Sequence, residues 1–79
     1  MSTNTQQDAT YNAAFDADAR EVTVIRDVRG GISGPVGDYP AATLDEAVRV
    51  LFDLGYTPCG PWTPYSYGRI VSARLSPMH

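Results

Sequence analysis

The chain has 79 residues, a net charge of −3 and six basic residues, all of them arginine, besides His79. This length allows one small domain, and the absence of lysine excludes a phosphate-binding lysine or a Schiff base. A single cysteine excludes an internal disulfide, and no apolar run approaches the roughly eighteen residues that a membrane-spanning helix needs. A cytoplasmic location is therefore the default expectation.

The N-terminal segment, residues 1–18, is predicted to be a flexible tail. It is rich in Ser, Thr, Asn, Gln, Asp and Ala, and Tyr11 and Phe15 are its only large apolar residues. Such a composition buries little apolar surface. The single folded domain is therefore expected over residues 19–79.

The first strand is predicted over residues 21–28, which are rich in β-branched residues. A glycine pair at residues 30–31 indicates a turn, and a weaker strand is expected over residues 32–36, at an edge because of its glycines and Pro35. The glycines at 30–37 do not lead directly into a helix. They are therefore typical of a hairpin rather than of a phosphate-binding loop.

The strongest signal is a helix over residues 43–54. Thr43 is a good N-cap, and Glu46 stands three residues later as its capping-box partner. Gly55 is expected to end the helix in the left-handed region. Its apolar residues follow a helical stripe and require a surface to pack on. They are Leu44, Ala47, Val48, Leu51 and Phe52, with Val50 and Leu54 beside them.

After the helix, residues 58–62 are expected to form a short strand or an extended loop, residues 63–66 a turn, and residues 67–75 the last strand. The predicted fold class is α+β, with one helix on a small antiparallel sheet in ββαββ order. The predicted core consists of Val22, Val24, Val28, Leu44, Val48, Leu51, Phe52, Val71, Ala73 and Leu75, with Trp62 nearby.

The opposite face of the predicted sheet carries Thr23, Ile25, Ile70, Ser72 and Arg74. Two isoleucines on an uncovered face suggest a partner-binding surface. The alternative is that single exposed apolar residues are ordinary features of a protein surface.

A second candidate surface is the aromatic group Tyr56, Trp62, Tyr65 and Tyr67, which is punctuated by three prolines. Tyrosine and tryptophan are over-represented at binding hot spots, and proline stiffens the loop that presents them. The alternative is that Trp62 caps the core and the tyrosines brace a hairpin. The two interpretations are compatible.

No catalytic, cofactor-binding or metal-binding residues are predicted. Cys59 is the only thiol, and the only histidine, His79, is the last residue, so no base is expected beside the thiol. The alternative to a nucleophilic Cys59 is that this thiol has only a structural role. An enzyme of this sequence would have to act through carboxylates, tyrosine or Cys59.

The run from Leu44 to Pro58, the segment Gly60-Pro61-Trp62 and the run from Tyr67-Gly68-Arg69 to Ala73 resemble small uncharacterised ββαββ-like proteins of actinobacteria and their phages. The similarity covers roughly residues 20–76 and consists of packing and turn motifs. It implies a small accessory protein encoded by a phage or mobile element, which would act in the host cytoplasm.

The function expected from the sequence is non-enzymatic binding of a protein partner, or of a second copy in a homodimer, through the sheet face or the Tyr/Trp/Pro loop. The alternative is a small dimeric nucleic-acid-binding regulator that uses Arg26, Arg69 and Arg74, although the negative net charge disfavours it. An enzyme and a structural subunit are the remaining classes. No membrane or metal partner is expected.

Overall fold

A computed structural model describes residues 9–64 and 69–78 of the chain. Six strands and one helix occur in these residues. In chain order they are β1 (Ala9–Asp16), β2 (Glu21–Val28), β3 (Gly34–Pro40), α1 (Leu44–Asp53), β4 (Tyr56–Pro58), β5 (Thr63–Pro64) and β6 (Ile70–Pro77).

The strands form one antiparallel sheet in the order β3-β2-β1-β6-β4, and β5 pairs with the same edge of β6 as β4. The first three strands form a meander. The chain then crosses in α1 from the β3 edge to the β4 edge, and α1 packs on one face of the sheet. The predicted α+β class is therefore confirmed, but the predicted ββαββ order omits β1 and the division of the β4–β5 edge.

The central strand of the sheet is β1, which contradicts the prediction of a flexible tail for residues 9–16. It pairs with β2 from Ala9↔Val28 to Asp16↔Glu21, and with β6 from Tyr11↔Leu75 to Asp16↔Ile70. The prediction was wrong because alanine counts little as a strand residue by itself. Between β2 and β6, however, small side chains allow close packing against the helix. Residues 1–8 lie outside the described part of the chain.

The helix begins and ends as its capping residues predict. The Thr43 hydroxyl accepts a hydrogen bond from the backbone N–H of Glu46 at 3.1 Å. The Glu46 carboxylate accepts one from the N–H of Ala42 at 2.6 Å, one residue before the cap. Gly55 follows the helix with a φ of 97°, and its N–H donates to the Phe52 carbonyl at 3.0 Å. The left-handed φ explains why glycine occupies this position.

The core lies between α1 and the strands β2, β1 and β6. The predicted valines of β2, together with Leu51, Ala73 and Leu75, are buried. The prediction was wrong for Phe52, whose residue is 61% exposed. The helix instead turns Ala47 and Leu51 to the sheet, so Phe52 lies at the side of the helix. Four further buried residues complete the core: Ala13, Phe15, Ala41 and Ala47.

Both edges of the sheet contain prolines. Edge strand β3 includes Pro35 and Pro40, and its pairing with β2 shifts register between Val24 and Ile25. The other edge is divided into β4 and β5, with Pro58 and Pro64 in them. Prolines and bulges limit the pairing of an edge with another chain. The face of the sheet that α1 does not cover is therefore a better binding surface than the edges.

The observed bounds also differ from the predicted ones. Strand β3 begins and ends later than residues 32–36, because its pairing with β2 continues to Glu21↔Pro40. Residues 58–62, predicted as a short strand or an extended loop, consist of the last residue of β4 and a loop, and β5 begins at Thr63, where a turn was expected. The last strand is β6, and residues 65–68, which include parts of the predicted turn and strand, lie outside the described residues.

Candidate functional site

The face of the sheet opposite α1 is called here the open face, because no helix or strand in residues 9–64 and 69–78 packs on it. Its residues follow from the strand alternation and the register. Across the middle of the sheet they form the row Asp38, Thr23, Ala14, Ser72 and Thr63. A second row contains Pro35, Ile25, Asn12 and Arg74.

The open face is large and mostly built from small side chains. Five strand positions about 4.8 Å apart and eight residues of about 3.4 Å each give a surface of roughly 600 Å². Its centre holds Ala14, Thr23 and Ser72, which are all half-buried. Such side chains protrude little, so a partner surface can approach the sheet closely.

The two isoleucines of the predicted partner surface lie on the open face, but they do not touch. Ile25 is opposite Asn12, whereas Ile70 is opposite Asp16, four residues further along β1. That offset and two strand spacings separate them by about 17 Å. Both are half-buried. The open face therefore has two separate apolar points and no continuous apolar patch.

Carboxylates surround the β1–β3 half of the open face. Asp38 accepts a hydrogen bond from the Thr23 hydroxyl at 2.6 Å, and Asp27 accepts one from the Asn12 amide at 3.4 Å. Asp16 and Glu21 oppose each other at the end of the β1–β2 hairpin. Four carboxylates thus share this face with the guanidinium of Arg74 on β6, and Arg29 lines the same depression as Asp27 and Thr10. The half of the open face formed by β1, β2 and β3 is therefore acidic.

The three arginines of the nucleic-acid interpretation are not brought together. Arg74 lies on the open face, while Arg26 is opposite Tyr11 and therefore lies on the helix side of the sheet. Arg69 precedes β6, and its guanidinium is 3.8 Å from the carboxylate of Asp18, with both side chains largely exposed. These positions do not form a single phosphate-binding surface.

The described residues of the predicted aromatic surface, Tyr56 and Trp62, pack on the core instead of forming an exposed binding loop. Trp62 and Tyr56 are half-buried and pack against the core on the helix side. The ring of Tyr56 lies 5.3 Å from that of Tyr11, centroid to centroid, with the planes tilted by 39°. Tyr65 and Tyr67 lie outside the described residues. The described part of this group therefore supports the interpretation of Trp62 as a cap on the core.

Raising the pH through 10.0 is expected to destabilise the fold, in part through Tyr56. Burial raises the pKa of its hydroxyl above the ordinary 10.0, and the charges of Tyr11 and Tyr39 raise it further. Below pH 10.0 the group is protonated in both states. At higher pH the unfolded chain releases this proton first, so the free energy of unfolding falls. Urea unfolding across this range is expected to show a smaller fall for Tyr56→Phe, and an equal fall would contradict this origin.

The thiol and the surface depressions offer little for catalysis. Cys59 is exposed, and its sulfur lies 3.5 Å from the carbonyl oxygen of Arg74. The shallow depressions lined by described residues include three: beside the β2–β3 turn, around Thr10 and Asp27, and on α1 between Asp45 and Phe52. None of these three is lined by two carboxylates.

Within the described residues, no group of three or more His, Cys, Asp or Glu side chains is placed to hold a metal ion. The helix found there is also too short and too polar to cross a membrane. His79 lies outside the described residues.

Comparisons of the chain with family models, with curated proteins and with solved structures find no match. These comparisons therefore assign no function to the chain.

Sequence reasoning found Thr23, Ile25, Ile70, Ser72 and Arg74 of the open face but missed Ala14 at its centre and the carboxylates of Asp16 and Asp38. Ala14 and Asn12 were assigned to the tail, and the helix-side residues Tyr11, Ala13 and Phe15 were the only sign of a strand there. Their alternation is a period-two pattern, which is the signal that could have identified β1. The position of Asp38 depends on β3 extending to Pro40.

Proposed function

We propose that this protein is a small non-enzymatic interaction protein that binds a protein partner through the open face of its sheet. The observation that carries the proposal is that α1 packs on one face of the sheet and leaves the other face uncovered. Sheets of this kind bury one face and leave the other to solvent or to a partner. An area of roughly 600 Å² is comparable with the about 800 Å² that each partner buries in a standard interface.

The open face is a better candidate than the Tyr/Trp/Pro loop or the sheet edges. Trp62 and Tyr56 are engaged with the core, and prolines interrupt both edges. The nucleic-acid alternative has less support, because Arg26, Arg69 and Arg74 are dispersed and carboxylates surround the face. The resemblance to actinobacterial and phage proteins makes a host protein in a high-GC bacterium the proposed type of partner.

Placing a bulky side chain at the centre of the open face is expected to abolish partner binding. Tyrosine is favourable in a strand, so Ala14→Tyr is compatible with β1. Its side chain would project from the open face and block the partner sterically. We expect it to reduce the protein captured from an actinobacterial lysate by at least about tenfold, which corresponds to roughly 1.4 kcal/mol. Quantitative mass spectrometry of the captured material measures this.

The matched control is Arg49→Tyr, which adds the same exposed side chain to α1, away from the open face. It is expected to leave capture unchanged. Equal loss in both variants, or no dependence on Ala14, would refute binding through this face. Circular dichroism of each variant verifies that the fold is retained.

A further inference from the structure

We infer that the partner of the open face is a cationic protein segment and not a second copy of this chain. This inference rests on the proposed function and adds the chemistry of the partner. It is carried by the distribution of charge on the open face, where four carboxylates accompany Arg74 on β6 and Arg29 beside Asp27.

A symmetric dimer through this face would bring two sets of carboxylates together. In such an interface the same patch meets itself, so the acidic half of one copy would face the acidic or near-neutral half of the other. Eight carboxylates would then lose water, with two Arg74 and two Arg29 guanidinium groups to compensate them. Unpaired charges are costly to desolvate, and like charges across an interface select against a partner.

The carboxylates are arranged to receive basic side chains around a small-residue centre. Thr23 and Asn12 hold the carboxylates of Asp38 and Asp27 by hydrogen bonds. Glu21 lies at the other end of β2, so acidic groups border Thr23 and Ile25 on three sides. A fitting segment has small or apolar side chains over this centre and Arg or Lys reaching outward to Glu21, Asp27 and Asp38.

An amphipathic helix can supply this pattern, because residues three and four apart share one apolar face and basic residues can flank it. The test therefore uses two synthetic amphipathic peptides with the same Ala/Leu face. One carries Lys and Arg on its polar face, and the other carries Glu at the same positions. Each is titrated into the ¹⁵N-labelled full-length protein, and amide shifts are followed by NMR.

We expect the basic peptide to cause saturable shifts in β1 and β2, and the acidic peptide to cause none. The double variant Asp27→Asn/Asp38→Asn is expected to weaken binding of the basic peptide by about tenfold. The control Asp45→Asn/Asp53→Asn makes the same change in net charge on α1 and is expected to leave the affinity within about twofold. Comparing the two double variants separates contacts of the peptide with Asp27 and Asp38 from its general attraction to a negatively charged protein.

The inference is overturned if neither peptide shifts the open face, if both do so equally, or if the two double variants weaken binding equally. Concentration-dependent shifts of open-face amides without peptide would replace the cationic partner with a second copy. The two proposals fail differently. If only the charge inference is wrong, lysate capture still depends on Ala14 but not on Asp27 and Asp38.

Discussion

Replacing Leu51 with alanine is expected to lower the free energy of unfolding by about 2–5 kcal/mol, which is most of the stability available to a core of this size. Leu51 is 0% exposed and is the largest fully buried side chain in the described part of the chain. Its removal leaves a cavity between α1 and the sheet that the surrounding side chains fill only in part. Urea unfolding followed by circular dichroism measures the change.

Phe52→Ala is the control on the same helix, one residue further along. Because Phe52 is 61% exposed, the substitution removes little buried area and is expected to cost less than about 1 kcal/mol. The sequence pattern alone places both residues in the core and predicts large losses for both. A loss at Phe52 equal to that at Leu51 would contradict the observed orientation of α1.

Ala13→Asp is expected to destabilise the protein by at least about 3 kcal/mol, and so to unfold most of it. Ala13 is 0% exposed and lies in the central strand under the helix, opposite Val24 and Ala73. A carboxylate there would be buried without a cation or hydrogen-bond donor of its own. The far-ultraviolet circular dichroism spectrum and a thermal melt report this loss.

The neighbouring Ala14→Asp is the matched control, since the same side chain then projects from the open face into solvent. It is expected to cost about 1 kcal/mol, from the lower strand propensity of aspartate and the nearby carboxylates. If residues 1–18 were a flexible tail, both variants would be neutral. Equal stability of the two variants would therefore refute the placement of β1.

The elements that the sequence identified are those with strong local signals. The helix follows from Thr43, Glu46 and Gly55, whose capping contacts are formed within a few residues. Strand β2 follows from its valines and has the predicted bounds. Such patterns are local, because capping and side-chain alternation depend on neighbours in the chain.

The elements that the sequence missed depend on neighbours that are distant in the chain. Strand β1 contains three alanines, and its place in the sheet comes from pairing with β2 on one side and β6 on the other. The burial of Leu51 rather than Phe52 depends on the angle at which α1 crosses the sheet. A helical stripe of this width allows several such angles.

By itself, the sequence determined the α+β class, the absence of an internal disulfide, one capped helix and a valine-rich strand. The tertiary structure decided which strand is central, which side of α1 meets the sheet, and which carboxylates share the open face with Arg74. The physical reason is that capping and alternation act over a few residues. Strand order and the grouping of charges arise only when segments far apart in the chain bury their apolar sides together.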